Sequence, residues 1–362
     1  METSERTPKA NQRILNGLHP RGDGVVTLLS VDGGGMRGII PALVLAELEK
    51  RARHPLWKMF DLMAGTSTGG LIALGLAVPG PNGHQARYDP GDLARLYREE
   101  GPTIFARSVV HDVSTAWGLF GPKYPGRPLE RVLKRFFGTF RLHEALTHVV
   151  VTSYDAASAS PFFFKSYRPV EPLEDEPGVH FRGDHHMWEA ARATSAAPTY
   201  FPPVSLRGHG KDGGQLCLLD GGVFANNPAL CALADATYMY GIPPDRTLVV
   251  SVGTGADNLR QPYEKVKRRG LVGWALPILR TVFDGVADTV DYEAHEMAGE
   301  FHRFQFLGAS TALDDASPGA ITRCEEAAKS VIEEHDAELT AVARRLRSLV
   351  EGAHGRAARA AP

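Results

Sequence analysis

Two stretches of this chain repeat one plan, a strand that runs into a glycine turn and emerges as a helix. The first begins with Val25-Val26-Thr27-Leu28-Leu29-Ser30-Val31, a nearly continuous apolar run of the kind that becomes a central strand buried on both faces. It leads into Asp32-Gly33-Gly34-Gly35, and after Gly38 the pattern changes to Ile39-Ile40-Pro41-Ala42-Leu43-Val44-Leu45, with a proline in the first turn and helical periodicity behind it. The second unit is Phe60-Asp61-Leu62-Met63-Ala64, then Gly65-Thr66-Ser67-Thr68-Gly69-Gly70, then the helical Leu71-Ile72-Ala73-Leu74-Gly75-Leu76. Two such units in succession call for a parallel sheet covered by helices. The predicted fold class is α/β, with a central, mainly parallel sheet flanked by helices.

Further short strands are predicted at 149–152, 162–165, 215–219 and 247–252, each bounded by turn residues. Segments 79–90, 121–128 and 169–183 are rich in Gly, Pro and charge and read as surface loops or lids. Residues 320–349 read as one long polar helix, and the Ala- and Arg-rich tail from 352 onward as frayed.

Composition narrows the function classes. The 40 Lys and Arg against 42 Asp and Glu give a formal charge of -2, so no global field draws the chain to a nucleic acid polymer. Cys217, Cys231 and Cys324 lack metal-ligand spacing and suit a reducing compartment. No metal and no cofactor is expected. Met1-Glu2-Thr3-Ser4-Glu5-Arg6 lacks the basic patch and apolar stretch of a secretory leader, so a cytoplasmic address is expected. No apolar run approaches the roughly 20 residues of a membrane-spanning helix, which leaves peripheral contact, at the inner membrane face, as the expected route to lipid.

Gly65-Thr66-Ser67-Thr68-Gly69 fits G-x-S-x-G, which sets a serine on a sharp strand-to-helix turn where flanking side chains would collide with backbone. Ser67 also falls at a helix N-terminus, where the macrodipole favours developing negative charge. An acyl-transfer serine needs fixed donors for the oxyanion, and Gly33, Gly34 and Gly35 offer unobstructed amides. Gly33, Gly35 and Gly38 also satisfy G-x-G-x-x-G, a phosphate cradle. That reading needs an acidic residue ending the next strand, whereas Asp61 lies inside its apolar run.

Ser67 requires a base. None of the 14 histidines stands in a context that marks it, although His143, His148, His185 and His186 remain open. A nearby carboxylate in a dry site can serve. Asp220, ending the strand 215–219 and followed by Gly221-Gly222, is the candidate. The rival Asp212 lies between two strand-like runs and is assigned to a hairpin turn. Asn226-Asn227-Pro228 is read as a cap for the next helix.

The stretch 29–38, the elbow 65–70, the run Ala193-Thr194-Ser195-Ala196-Ala197-Pro198-Thr199-Tyr200-Phe201-Pro202 and the block Asp220-Gly221-Gly222 together resemble the patatin-like phospholipases, in that family's order. The resemblance implies a three-layer α/β/α fold and hydrolysis of acyl esters in phospholipids by a Ser67–Asp220 dyad without histidine. It also implies an oxyanion hole on Gly33, Gly34 and Gly35. Gly65, Gly69, Gly221 and Gly222 are its motif glycines, and Arg37 and Gly38 its substrate-facing pair. Arg37 either meets the lipid phosphate or braces the loop. The domain organisation that follows is an N-terminal extension 1–22, a catalytic core 23–255, a C-terminal helical portion 256–350 packed on the core, and a flexible tail 351–362. A lipid acyltransferase or general esterase would use the same serine, and a non-catalytic nucleotide-sensing module the same glycine loop.

Lys265-Val266-Lys267-Arg268-Arg269 followed by the Trp-bearing apolar segment 271–279 suits a phospholipid or membrane surface, or equally an exposed loop leading into a buried helix. Some bacterial members of the family are effectors switched on by a cyclic nucleotide in antiphage defence. The resemblance carries that activator here as an expectation with no residue motif behind it.

Overall fold

The computed structural model describes residues 24–106, 121–167, 184–207, 214–256, 262–274, 277–308 and 311–360. Among these the strands are β1 (Val26–Val31), β2 (Leu62–Thr66), β3 (His148–Asp155), β4 (Ser160–Lys165), β5 (Val204–Arg207), β6 (Gln215–Asp220), β7 (Thr247–Val252) and β8 (Glu300–Phe304). They form one sheet in the order β5-β6-β3-β2-β1-β7-β8, with β4 beside β3. The β1–β2, β1–β7, β2–β3 and β7–β8 pairs are parallel, and β3–β4, β3–β6 and β5–β6 antiparallel. Every residue of β1, β2 and β7 is buried, which is why these strands read as nearly continuous apolar runs, broken only by small residues, rather than alternating ones.

The longer helices are α1 (Ile39–Ala52), α2 (Thr68–Ala77), α3 (Pro90–Ile104), α4 (Gly126–Phe137), α5 (Met187–Thr194), α6 (Ala229–Tyr240), α7 (Pro277–Met297), α8 (Pro318–Glu334) and α9 (Asp336–Ala360). They divide between the sheet faces as the two-residue strand period requires. Leu29, Val31, Met63 and Val250 join a core with α1, α2, α4, α8 and α9, while Val26, Leu28, Leu62 and Val249 face α6 and α7. This is the expected three-layer α/β/α arrangement.

The register around β3 positions the site. A strand has two edges. Residues 150–152 of β3 pair with both β2 and β4, and residues 153–155 with both β4 and β6, so β2 and β6 follow one another along the same edge. Thr66 lies opposite Thr152, and Asp220 opposite Ser153. The chain therefore leaves β2 for Ser67 at the level where β6 arrives with Asp220.

The C-terminal portion departs from the sequence reading. It is not purely helical: β8 extends the central sheet beside β7. The expected single helix over 320–349 is two, α8 and α9, divided at His335, which leaves helical geometry at φ -105, ψ 22. The His335 ring packs on Phe304 at 5.4 Å, and Glu338 accepts from the rings of His335 and His302 at 3.0 and 2.8 Å, so the turn is fastened to β8. Helix α9 continues to Ala360, through most of the segment expected to fray. The Trp-bearing segment 271–279 is likewise a one-turn helix, Leu271–Trp274, followed by α7 from Pro277. The extension 1–22, the loop 169–183 and Asp212 lie outside the described residues, although β5 and β6 do pair antiparallel around 208–213. No helix among the described residues is long and apolar enough to cross a membrane.

Candidate active site

Ser67 stands between β2 and α2 with φ 54 and ψ -122, a left-handed conformation that costs a non-glycine residue about 1–3 kcal/mol. The elbow is that sharp because its flanking glycines bring backbones into contact. A Cβ on Gly65 would lie 2.2 Å from Gly69 O, and one on Gly69 only 2.0 Å from Val31 O. The Ser67 N–H donates to Thr194 Oγ1 at 2.7 Å. Thr194 closes α5 inside the Ala193–Pro202 run; the motif marked the segment, but nothing in its spacing revealed this bond.

The Ser67 side chain lies beside the Asp220 carboxylate, close enough to favour its charged form, and that carboxylate accepts the Gly222 N–H at 2.8 Å. Asp220 is 2% exposed, and burial pushes its pKa up from 3.8 to about 7 against the opposing pull of Ser67 and the Gly222 N–H. Its own N–H donates to Ala196 O at 3.0 Å, so the Ala193–Pro202 run holds both partners. Gly221 is required by packing, because a Cβ there would sit 2.1 Å from Thr152 Oγ1.

The glycine loop abuts the serine. A Cβ on Gly33 would lie 3.3 Å from Ser67 Cβ and 2.4 Å from Asn226 Oδ1. The Gly33 N–H is already engaged by Asn226 O at 3.0 Å, and its carbonyl accepts from Thr254 Oγ1 at 2.7 Å. Of the three expected oxyanion donors, then, Gly34 and Gly35 are the two whose amides carry no hydrogen bond among the described residues. Gly34 has no room for a side chain beside Thr254. Gly35, at φ +58, would place a Cβ 2.2 Å from Leu313 O.

Arg37 bonds to its own loop through Nε to Gly34 O at 3.4 Å and to Gly255 O through Nη1 at 3.0 Å, as a brace would, and it also lines the cleft. Gly38, expected to face substrate, instead makes room for the hydrogen-bonded Thr68–Tyr97 pair, its notional Cβ falling 2.3 Å from Thr68 Oγ1. Asn227, one residue before the N-cap Pro228, serves the helix start by accepting the Ala229 N–H at 3.0 Å.

Ser67, Asp220 and the three glycines line one cleft of about 1030 Å³, including its open mouth. Its walls are apolar, with Leu96, Ile104 and Phe105 from α3 and its end, Leu129 and Val132 from α4, and Phe201. Phe283 and Asp284 of α7 complete the lining. No histidine lines the cleft among the described residues. His143 binds Asp184 at 2.7 Å, His185 packs against Phe162 and Phe164, and His186 contacts Thr139 O at 3.0 Å. His148 is pushed down to about 4 by burial, beside Tyr167.

An apolar cleft with a strained serine beside a buried carboxylate agrees with what the chain resembles over its length. The family model for patatin-like phospholipase matches residues 29–233. Patatin-like protein 4 of Arabidopsis thaliana is 34% identical over 76% of this chain and 73% of its own length, and Patatin-like protein 3 of the same plant 32% identical over 80% and 74%. Patatin-15 of Solanum tuberosum is 32% identical over 81% of this chain and 80% of its own. By the family model and by these relatives, the chain belongs to the patatin-like phospholipases, a family of lipid acyl hydrolases.

Proposed function

We propose that the chain is a phospholipase of the A type, cleaving fatty acyl esters of membrane phospholipids through a Ser67–Asp220 dyad. Asp220 takes the hydroxyl proton as Ser67 Oγ attacks the acyl carbonyl. The Gly34 and Gly35 amides stabilise the oxyanion so formed, and the proton passes to the departing lysolipid oxygen. Water, deprotonated by the same carboxylate, then attacks the acyl-enzyme, and fatty acid leaves as Ser67 recovers its proton. The observation that carries this reading is the convergence in one cleft of Ser67, on its sharp elbow, and a carboxylate beside it whose burial pushes its pKa to about 7, the range in which a general base is most effective.

The apolar cleft wall supports an acyl chain as the bound portion of substrate. Contact with the lipid surface is supported by the first turns of α7, where Ile278 and Val282 are 48% and 41% exposed next to Phe283 in the cleft lining, and by exposed Lys267 and Arg268 upstream. The cyclic-nucleotide activator and the antiphage role rest on the resemblance alone and do not enter this reading.

The test is a fluorophosphonate probe together with mass spectrometry of products from defined phospholipid vesicles. Wild-type protein is expected to be labelled at Ser67 and to release free fatty acid and lysolipid. Ser67→Ala is expected to do neither, and full activity in that variant removes the dyad. Transfer of the acyl group to an added alcohol in preference to water would favour the acyltransferase instead.

A further inference from the structure

A run of three glycines is the most conformationally free backbone a chain can present, whereas oxyanion donors act only if fixed before the reaction. Gly33, Gly34 and Gly35 have no side chains with which to hold themselves. Gly33 is tied through its main chain to Asn226 and Thr254; the remaining restraint comes from the residues on either side of the run, and there it is supplied by a part of the chain beyond the 29–233 family match.

Upstream, Asp32 is 2% exposed, and Arg303 of β8 meets its carboxylate with a two-pronged fork, Nη1 to Oδ1 at 3.0 Å and Nη2 to Oδ2 at 2.6 Å. The guanidinium is itself aimed from two further sides. Nη1 also donates to Ser251 Oγ of β7 at 2.8 Å, and Nε lies 3.1 Å from Asp291 Oδ2 of α7, an ion-pair contact off the line of a good hydrogen bond. Asp291 is held by Asn227 Nδ2 at 3.2 Å, and Asn227 Oδ1 accepts from Ser30 Oγ of β1 at 3.1 Å, which closes the circuit two residues before Asp32.

Downstream, the Met36 N–H donates to Leu313 O at 2.8 Å. Gly255, whose carbonyl receives Arg37, donates its N–H to Gln305 Oε1 at 2.8 Å. Arg303, Gln305 and Leu313 all follow β7.

We propose that Arg303 is a positioning residue for catalysis: by clamping Asp32 it fixes the entry to the glycine loop and so the direction of the Gly34 and Gly35 amides. This rests on the reading that those amides bind the oxyanion. A planar fork defines the carboxylate's orientation, whereas the single ammonium of lysine supplies the charge without the angle. Charge neutralisation alone predicts that lysine suffices; positioning predicts that it does not.

The experiment compares Arg303→Lys and the uncharged pair Asp32→Asn/Arg303→Met with wild type on a soluble short-chain p-nitrophenyl ester. A trifluoromethyl ketone serves as analogue of the tetrahedral oxyanion. The double variant is included because removing both members of a buried pair can leave stability nearly unchanged.

Both variants are expected to fold and to keep KM within about twofold, while kcat falls about 10- to 100-fold, the scale of a misplaced catalytic group. The inhibition constant of the ketone should rise by the same factor. Wild-type kcat and ketone affinity in either folded variant, or loss of the fold in both, overturns the proposal. Fluorophosphonate labelling, lost in Ser67→Ala and retained though slower in Arg303→Lys, separates failure of this inference from failure of the dyad itself.

Discussion

Replacing Asp220 by Asn should inactivate the enzyme and stabilise its fold, with the stabilisation appearing only as the pH rises. Burial raises the Asp220 pKa from 3.8 to about 7, so between those values the unfolded chain has already released the proton while the native state retains it. Stability therefore falls with pH across that window and levels off above it. At 1.36 kcal/mol per pKa unit, the ionised carboxylate destabilises the native state by about 4 kcal/mol at pH 8. Asn keeps an oxygen for the Gly222 N–H and carries no charge. Urea unfolding of both proteins from pH 4 to 8 should give curves that nearly coincide at pH 4 and diverge to about 4 kcal/mol at pH 8 in favour of the variant. Over the same range, wild-type kcat/KM on a soluble ester should be half-maximal near pH 7 and drop about tenfold per unit below it, with Asp220→Asn about 100- to 10,000-fold lower and flat. A variant no more stable than wild type at pH 8, or a stability gap independent of pH, refutes the reasoning about burial. A wild-type rate unchanged between pH 5 and 8 refutes the assignment of Asp220 as base.

Ser67→Gly removes the Cβ from a left-handed position and should raise the urea midpoint by the equivalent of about 1 kcal/mol while abolishing turnover, where an unchanged or lower midpoint would mean that the elbow stores no strain. Gly35→Ala meets both a positive φ and the Leu313 carbonyl, and should lower kcat by more than about 100-fold in protein that still gives a folded circular-dichroism spectrum. Gly83→Ala, equally left-handed but with open space around it, should lose only about 1 kcal/mol and keep wild-type kcat, as the urea and ester assays would register. Val132→Phe fills the cleft wall from α4, so the ratio of kcat/KM for a butyrate over a dodecanoate ester should rise at least about tenfold; an unchanged ratio would put the acyl chain elsewhere.

The central strands were legible because burial on both faces leaves only small hydroxyls between their apolar residues and no charge, as in Thr247–Val252. Glu300–Phe304 was not, since as an edge strand it is mostly half-buried and its Glu-Phe-His-Arg-Phe carries no apolar run. The motif glycines were legible as a requirement for close backbone approach, which the contacts of Gly65 with Gly69 and of Gly69 with Val31 illustrate. Sequence could not tell which of three adjacent amides is free, because the bond from Gly33 N to Asn226 O depends on where a segment nearly two hundred residues away arrives. The same holds for Thr194 and Arg303, whose partners are a main-chain amide and a carboxylate brought near only by the sheet. Arg37 shows the converse limit: its place in the motif was plain, and only the structure could show that its guanidinium bonds to Gly34 and Gly255.

The nucleophile and its carboxylate are unequally anchored. Ser67 springs from β2, which has a neighbour along each side, whereas Asp220 ends the inner strand of a two-strand flap joined to β3 through the three residue pairs from Ser153–Asp220 to Asp155–Leu218. Warming should lift that flap before the middle of the molecule melts, parting the proton donor from its acceptor in an otherwise intact protein. The upper temperature of the working enzyme is then a property of its margin, and a crosslink from β6 to β3 would extend it without touching the core.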